Sequence, residues 1–268
     1  MGVSVVLLAA TATAAAGPFV NIHRFDGNSR AGAEMTYVDF DGNNDSTLLR
    51  FDLHGQYIDP GTHLGGYLQL PIGYVTGENA AGESSSDTAL GNIEIGGIYI
   101  PQLQSQTMAL VLHGGITLPT APDDGSALVG TFAGLLRVHD LYQTLPKGTT
   151  IRLGASPMFY SGNVYGRIDI GVDINIDNAD NEKADPAVHF NVGGGVWATP
   201  EIALTLEVSS LTVIDDQDND DDNLVNGTLG MRYNAGSVAP YVGITVPLDD
   251  DISDIINLGL TIGIDAKI

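Results

Sequence analysis

The stretch Ile256-Asn257-Leu258-Gly259-Leu260-Thr261-Ile262-Gly263-Ile264-Asp265-Ala266-Lys267-Ile268 decides the fold. Every second residue, from Ile256 through Leu258, Leu260, Ile262, Ile264 and Ala266 to Ile268, is apolar, and only Asn, Gly, Thr, Asp and Lys stand between them. Successive side chains of an extended chain point to opposite faces, so the pattern is a strand with one apolar face and one polar or bare face.

The alternation recurs upstream. Leu49, Phe51, Leu53 and Tyr57 oppose Arg50, Asp52, His54 and Gln56; Ile168, Ile170, Val172, Ile174 and Ile176 oppose Arg167, Asp169, Gly171, Asp173 and Asn175. Further segments at 33–40, 63–75, 88–100, 107–118, 149–159, 187–198, 201–213, 223–234 and 237–247 bring the expected total to twelve strands, most of 11 to 13 residues. Soluble strands average about 5–6 residues, whereas a tilted transmembrane strand needs roughly 9–11. A soluble sandwich would also need large apolar side chains to fill its core. Here the opposite face carries Arg, Asp, His, Asn and many of the 34 glycines. A polar inner face inside an apolar outer one is the inverted pattern of a membrane barrel.

Connection lengths agree. One alternate set (58–62, 101–106, 160–163, 199–200, 235–236) has at most six residues, and the other (41–46, 76–87, 119–148, 177–186, 214–222, 248–253) at least six. Bacterial barrels have short periplasmic turns and long outer loops. The expectation is therefore an all-β protein: a twelve-stranded antiparallel transmembrane barrel over 33–268, with long acidic extracellular loops and one short helix, around Ser126 to Leu141, in the loop 119–148. Loops this long often fold inward as lids or constrictions.

Before the barrel, Val3 to Ala16 form a short apolar run ending Ala14-Ala15-Ala16. That is too short for a spanning helix and suits a signal peptide over 1–16, with 17–32 as a periplasmic lead or partial plug. Export and a barrel together point to the bacterial outer membrane, with its lipids and the barrel-insertion machinery as partners.

Charge sharpens this picture. The 268 residues hold 33 Asp and Glu against 10 Lys and Arg, a net −23, which leaves no basic surface for nucleic acid. With no cysteine there is neither a disulfide scaffold nor a thiolate site. In the expected topology 21 acidic residues lie in outer loops, beside Arg137, Lys147 and Lys183. The densest run includes Asp215, Asp216, Asp218 and Asp220, with Asp249-Asp250-Asp251 a smaller copy. These are weak Ca²⁺ candidates, since hard cations take clustered carboxylates, but the glycine and closing Glu of an EF-hand loop are missing. A solvated loop is the plainer reading, and divalent cations bridging to lipid headgroups lie between the two.

The expected inner face carries the candidate pore-lining residues: Arg50, Asp52, His54, Glu94, His113, Arg152, Arg167, Asp169, Asp173, His189, Glu207 and Arg232. Its histidines fall on separate strands without metal-ligand spacing, so neither a metal nor a cofactor is expected. No nucleophile-elbow, zinc-protease, P-loop or dinucleotide motif is present, and no enzyme activity is expected. Two functions remain open: passive transport of small solutes, or a non-transporting structural or surface-interaction barrel whose lumen is sealed by Arg–carboxylate pairs.

Two stretches carry a resemblance. Ala89-Leu90-Gly91-Asn92-Ile93-Glu94-Ile95-Gly96-Gly97-Ile98-Tyr99 and Gly115-Ile116-Thr117-Leu118-Pro119-Thr120 resemble consecutive strands of the outer-membrane porin-like barrel family associated with phenol meta-pathway degradation. Asn92 stands where that family usually has Asp, and Ala121 where it has Gly. The turn at Ala198-Thr199-Pro200 and the strand Tyr241 to Leu248 are also similar. The resemblance implies a transporter-type barrel passing small, often hydrophobic or aromatic, molecules.

Overall fold

A computed structural model describes residues 19–22, 24–40, 47–78, 84–101, 107–123, 127–177, 185–214 and 223–268. The strands are β1 (Arg30–Phe40), β2 (Thr47–Ile58), β3 (Leu64–Glu78), β4 (Ser84–Leu90), β5 (Ile93–Tyr99), β6 (Met108–Leu118), β7 (Thr149–Ser161), β8 (Val164–Asp177), β9 (Ala187–Trp197), β10 (Ile202–Val213), β11 (Asn223–Tyr233), β12 (Val238–Pro247) and β13 (Ile256–Lys267). Neighbours pair antiparallel, and β1 closes on β13, with Arg30 opposite Lys267 and Thr36 opposite Thr261. β4 and β5 share one place beside β3, pairing with its outer and inner halves respectively. The ring therefore has the expected twelve positions. Among the described residues every strand except β4, which pairs with β3 alone, has a partner on both sides, the closed ladder that a chain crossing a bilayer by strands requires.

The segment 88–100, expected as one strand, begins earlier, at Ser84, and breaks at Gly91 and Asn92. Gly91 approaches β3 so closely that a Cβ there would lie 2.6 Å from the Pro71 side chain. Asn92 turns its amide to the Gln143 carbonyl instead of a neighbouring strand. Ile256 also departs from the expected pattern. The β1–β13 register slips between Asp39 and Phe40, which face Leu258 and Ile256, so Ile256 turns inward and is fully buried.

Elsewhere the alternation holds. Leu206 and Leu229 are the most exposed wall leucines, at 64% and 62%, while Arg50 and Glu207, pointing inward, are 1% exposed. Tyr57, Tyr99, Phe159 and Tyr233 lie exposed at or beside the ends of β2, β5, β7 and β11 on the short-turn rim, the position of an interfacial aromatic girdle, while Trp197 at the end of β9 turns inward onto Tyr165. At that rim Asp59 closes the β2–β3 turn, accepting from the Gly61 and Thr62 amides and the Thr62 hydroxyl. Those bonds, the Thr62 amide foremost, lower its carboxyl pKa.

The interior is filled by two segments that are not part of the wall. One is 127–143, where the helix expected in the loop 119–148 is α1 (Ala127–Gly134) followed by a 3₁₀ helix (Leu135–Gln143) kinked at Arg137. The other comprises 19–22 and 24–29 and turns at Phe25 and Gly27, both at positive φ. The fill is layered. At the outer end Leu136, Val138 and Tyr142 pack with Val38, Leu48, Ile252 and Ile256. At the inner end Phe25 packs with Ile58, Tyr67, Ile98 and Met158, and Phe19 and Ile22 pack with Tyr165 and Ala203. Charged groups lie between.

Inward glycines make room for this fill. A Cβ on Gly193 would lie 2.6 Å from Phe19 and 2.8 Å from Ile22; one on Gly259 would meet Leu136 at 2.2 Å. The acidic run from Asp215 to Asp222 lies outside the described residues. Its smaller copy forms α2 (Asp250–Ser253), where Asp249 is the N-cap, accepting from the Ile252 amide at 2.9 Å and from Val225 at 2.7 Å.

Candidate functional site

The interior charge layer is the candidate site. All seven arginines of the chain are buried in it, with nine carboxylates: Asp26, Glu34, Asp52, Glu94, Asp140, Asp169, Asp173, Glu207 and Asp265. Among the described residues, seven against nine leaves −2 of the chain's −23 inside. Each of the twelve residues expected on the inner face is buried there. Arg137 and Asp140, which topology alone assigns to an outer loop, lie inside because the loop carrying them folds inward. Arg24, Arg30, Glu34 and Asp265 also join the layer without standing among the expected pore-lining residues. Asp265 and Glu34 sit at inward positions of alternating strands, a signal available in the sequence.

Arg152 on β7 is the hub. Its Nε donates to Asp173 at 2.8 Å, and its terminal nitrogens donate to Asp140 at 2.9 Å and the His139 carbonyl at 2.7 Å, with Glu94 at 3.4 Å. One wall guanidinium thus holds the wall and the inserted loop together. Glu94 also accepts from Tyr67 at 2.6 Å and from Gln143 of the loop. Arg50 grips Asp52 through two bonds, at 2.6 and 2.9 Å. Arg232 and Arg30 share Asp265 with His54, at 2.5, 3.0 and 2.7 Å. His113 lies 2.9 Å from Asp169, and His189 lies 3.0 Å from Asp173.

The two inserted segments also grip each other. Arg24 pairs with Asp140, while Arg137 pairs with Glu34 and Asp140 and donates to the Asn21 carbonyl at 3.2 Å. A buried ion pair gains little net stability over apolar packing, but removing one partner costs about 3–5 kcal/mol. Such a layer therefore fixes one arrangement of segments and wall. Hydration can replace these pairs if the segments leave.

What remains open inside is small. Two cavities of about 10 Å³ each lie in the layer, one lined by Arg24, His139, Arg152, Asp169 and Asn191, the other by Arg30, His54 and Tyr67. Each has roughly the room of one water molecule. Among the described residues, 19–22, 24–29 and 127–143 fill the lumen at this layer. Among the described residues no group of three or more His, Asp or Glu is arranged to hold a metal ion.

No family model matches this sequence, and no curated protein matches it. Solved structures do. The COG4313 outer membrane channel from Pseudomonas putida F1 superposes with a TM-score of 0.65 at 12% identity, over 90% of this chain and 96% of that one. The KdgM porin superposes with a TM-score of 0.51 at 8% identity, over 88% of this chain and 99% of that one. At such identity the likeness is one of fold. The chain has the fold of outer-membrane barrels, and its apolar belt places it in the outer membrane.

Proposed function

We propose that the protein is an outer-membrane channel for passive passage of small solutes, closed in the described state by the segments 19–29 and 127–143. The observation that carries this reading is the construction of the fill. Both segments hang from the wall by polar contacts, among them Arg152 to Asp140 and Arg167 to the Ile22 carbonyl at 2.6 Å. Between its two apolar rims the wall is lined by Arg, Asp, Glu, His and Thr, groups that water can solvate once the segments withdraw, which a wholly apolar core would not allow. The fold shared with an outer-membrane channel and a porin supports the same reading. Hydrophobic or aromatic solutes are the class implied by the resemblance of 89–99 and 115–120, and phenol against a sugar of similar size is the comparison that tests it.

The competing reading is a structural barrel whose lumen never opens. Swelling of liposomes carrying the purified protein separates the two. Solute entry above that of empty liposomes supports the channel; folded, inserted protein without entry refutes it.

A further inference from the structure

Residues 19–22 are held in the barrel mainly by their main chain. Glu207 accepts the amides of Val20, Asn21 and Ile22 at 2.7, 2.9 and 2.8 Å. Their carbonyls face guanidinium groups: Arg232 donates to Phe19 at 3.0 Å, Arg137 to Asn21 at 3.2 Å, and Arg167 to Ile22 at 2.6 Å. Six main-chain groups in four residues are thereby bonded to charged side chains. Glu207 is 1% exposed, and its only other hydrogen bond among the described residues is from the Thr205 hydroxyl at 2.9 Å. The side chains rest in shallow dents. Val20 lies against Gly230 and Gly243, and Phe19 and Ile22 against Gly193. Phe19 also meets Tyr165 edge-on, with centroids 5.4 Å apart.

Main-chain amides and carbonyls are common to all peptides, and bare glycine dents accept apolar side chains of several shapes. A carboxylate that takes three successive amides reads backbone rather than side chains. We infer that this part of the lumen is a binding site for the backbone of short apolar peptides, and that 19–22 fills it as an internal ligand. The inference deepens the channel reading and rests on it for the withdrawal of the segment. It names the solute class for which the lumen is shaped.

The test measures binding without conduction. A fluorescein-labelled peptide of residues 19–24 and a second of the same composition in scrambled order are titrated onto the detergent-solubilised full chain, with fluorescence anisotropy as the readout. Val20→Pro removes one amide from the internal ligand and leaves the wall intact, so it should bind both peptides more tightly than the unaltered protein. Adding Glu207→Gln should weaken that binding about tenfold, since a charge-assisted contact to three amides is lost. Heat-modifiable migration on gels verifies that each variant is folded. Absence of saturable binding to folded Val20→Pro overturns the inference, as does binding of the native order alone or binding insensitive to Glu207→Gln. Peptide binding by a barrel that admits no solute would instead refute the channel reading and leave the site standing.

Discussion

The Asn92 side chain donates to the Leu145 carbonyl at 2.7 Å, and its oxygen accepts from the Ala121 amide at 2.9 Å. One wall residue, at the break between β4 and β5, thus ties both ends of the inserted loop. Asn92→Ala removes both bonds from a buried site, at about 1–3 kcal/mol for each group left unsatisfied. Hydrogen exchange of the 127–143 amides should speed up roughly tenfold or more. Exchange in the wall strands should stay unchanged.

Arg152 faces three buried carboxylates, so Arg152→Met takes one shared cation from Asp173, Asp140 and Glu94 at once and leaves each with its remaining partners. The expected loss is about 3–5 kcal/mol, read as a lower urea midpoint in detergent. Lys147 and Asp123 provide the contrast, because both are nearly half exposed. Lys147→Met should cost no more than about 1 kcal/mol.

Gly193 and Gly194 are adjacent and face opposite sides of the wall. A side chain on Gly193 collides with Phe19 and Ile22, whereas one on Gly194 first meets the Tyr165 carbonyl at 3.7 Å. Gly193→Val should expel the 19–29 segment and expose it to trypsin at Arg24. Gly194→Val should leave it protected.

Leu206 projects from the middle of β10 and is 64% exposed. On a face that meets lipid, Leu206→Arg should destabilise the barrel in vesicles by about 2–4 kcal/mol. The same substitution in a water-soluble protein would cost almost nothing at so exposed a position.

Twelve strand positions, their faces and the presence of a helix near 126–141 are legible in the sequence because a two-residue period and connection lengths are local signals. The break at Gly91–Asn92 is not, because the apolar period runs straight through it and the cause is contact with Gln143 and Pro71. The bulge that buries Ile256 depends on its pairing with β1. In the charge layer, Arg50 or Asp169 can be placed by alternation alone. Arg137 and Asp140 cannot, since their loop reads as external until its fold is known. The role of Gly193 is equally hidden, because the side chains it admits lie some 170 residues away in the chain.

Single-channel recording in planar bilayers, comparing the unaltered protein with Gly193→Val, tests the central claim most directly. The account predicts rare, brief openings in the first and long, stable ones in the second. Silence from both, with folded protein inserted in the bilayer, would contradict it.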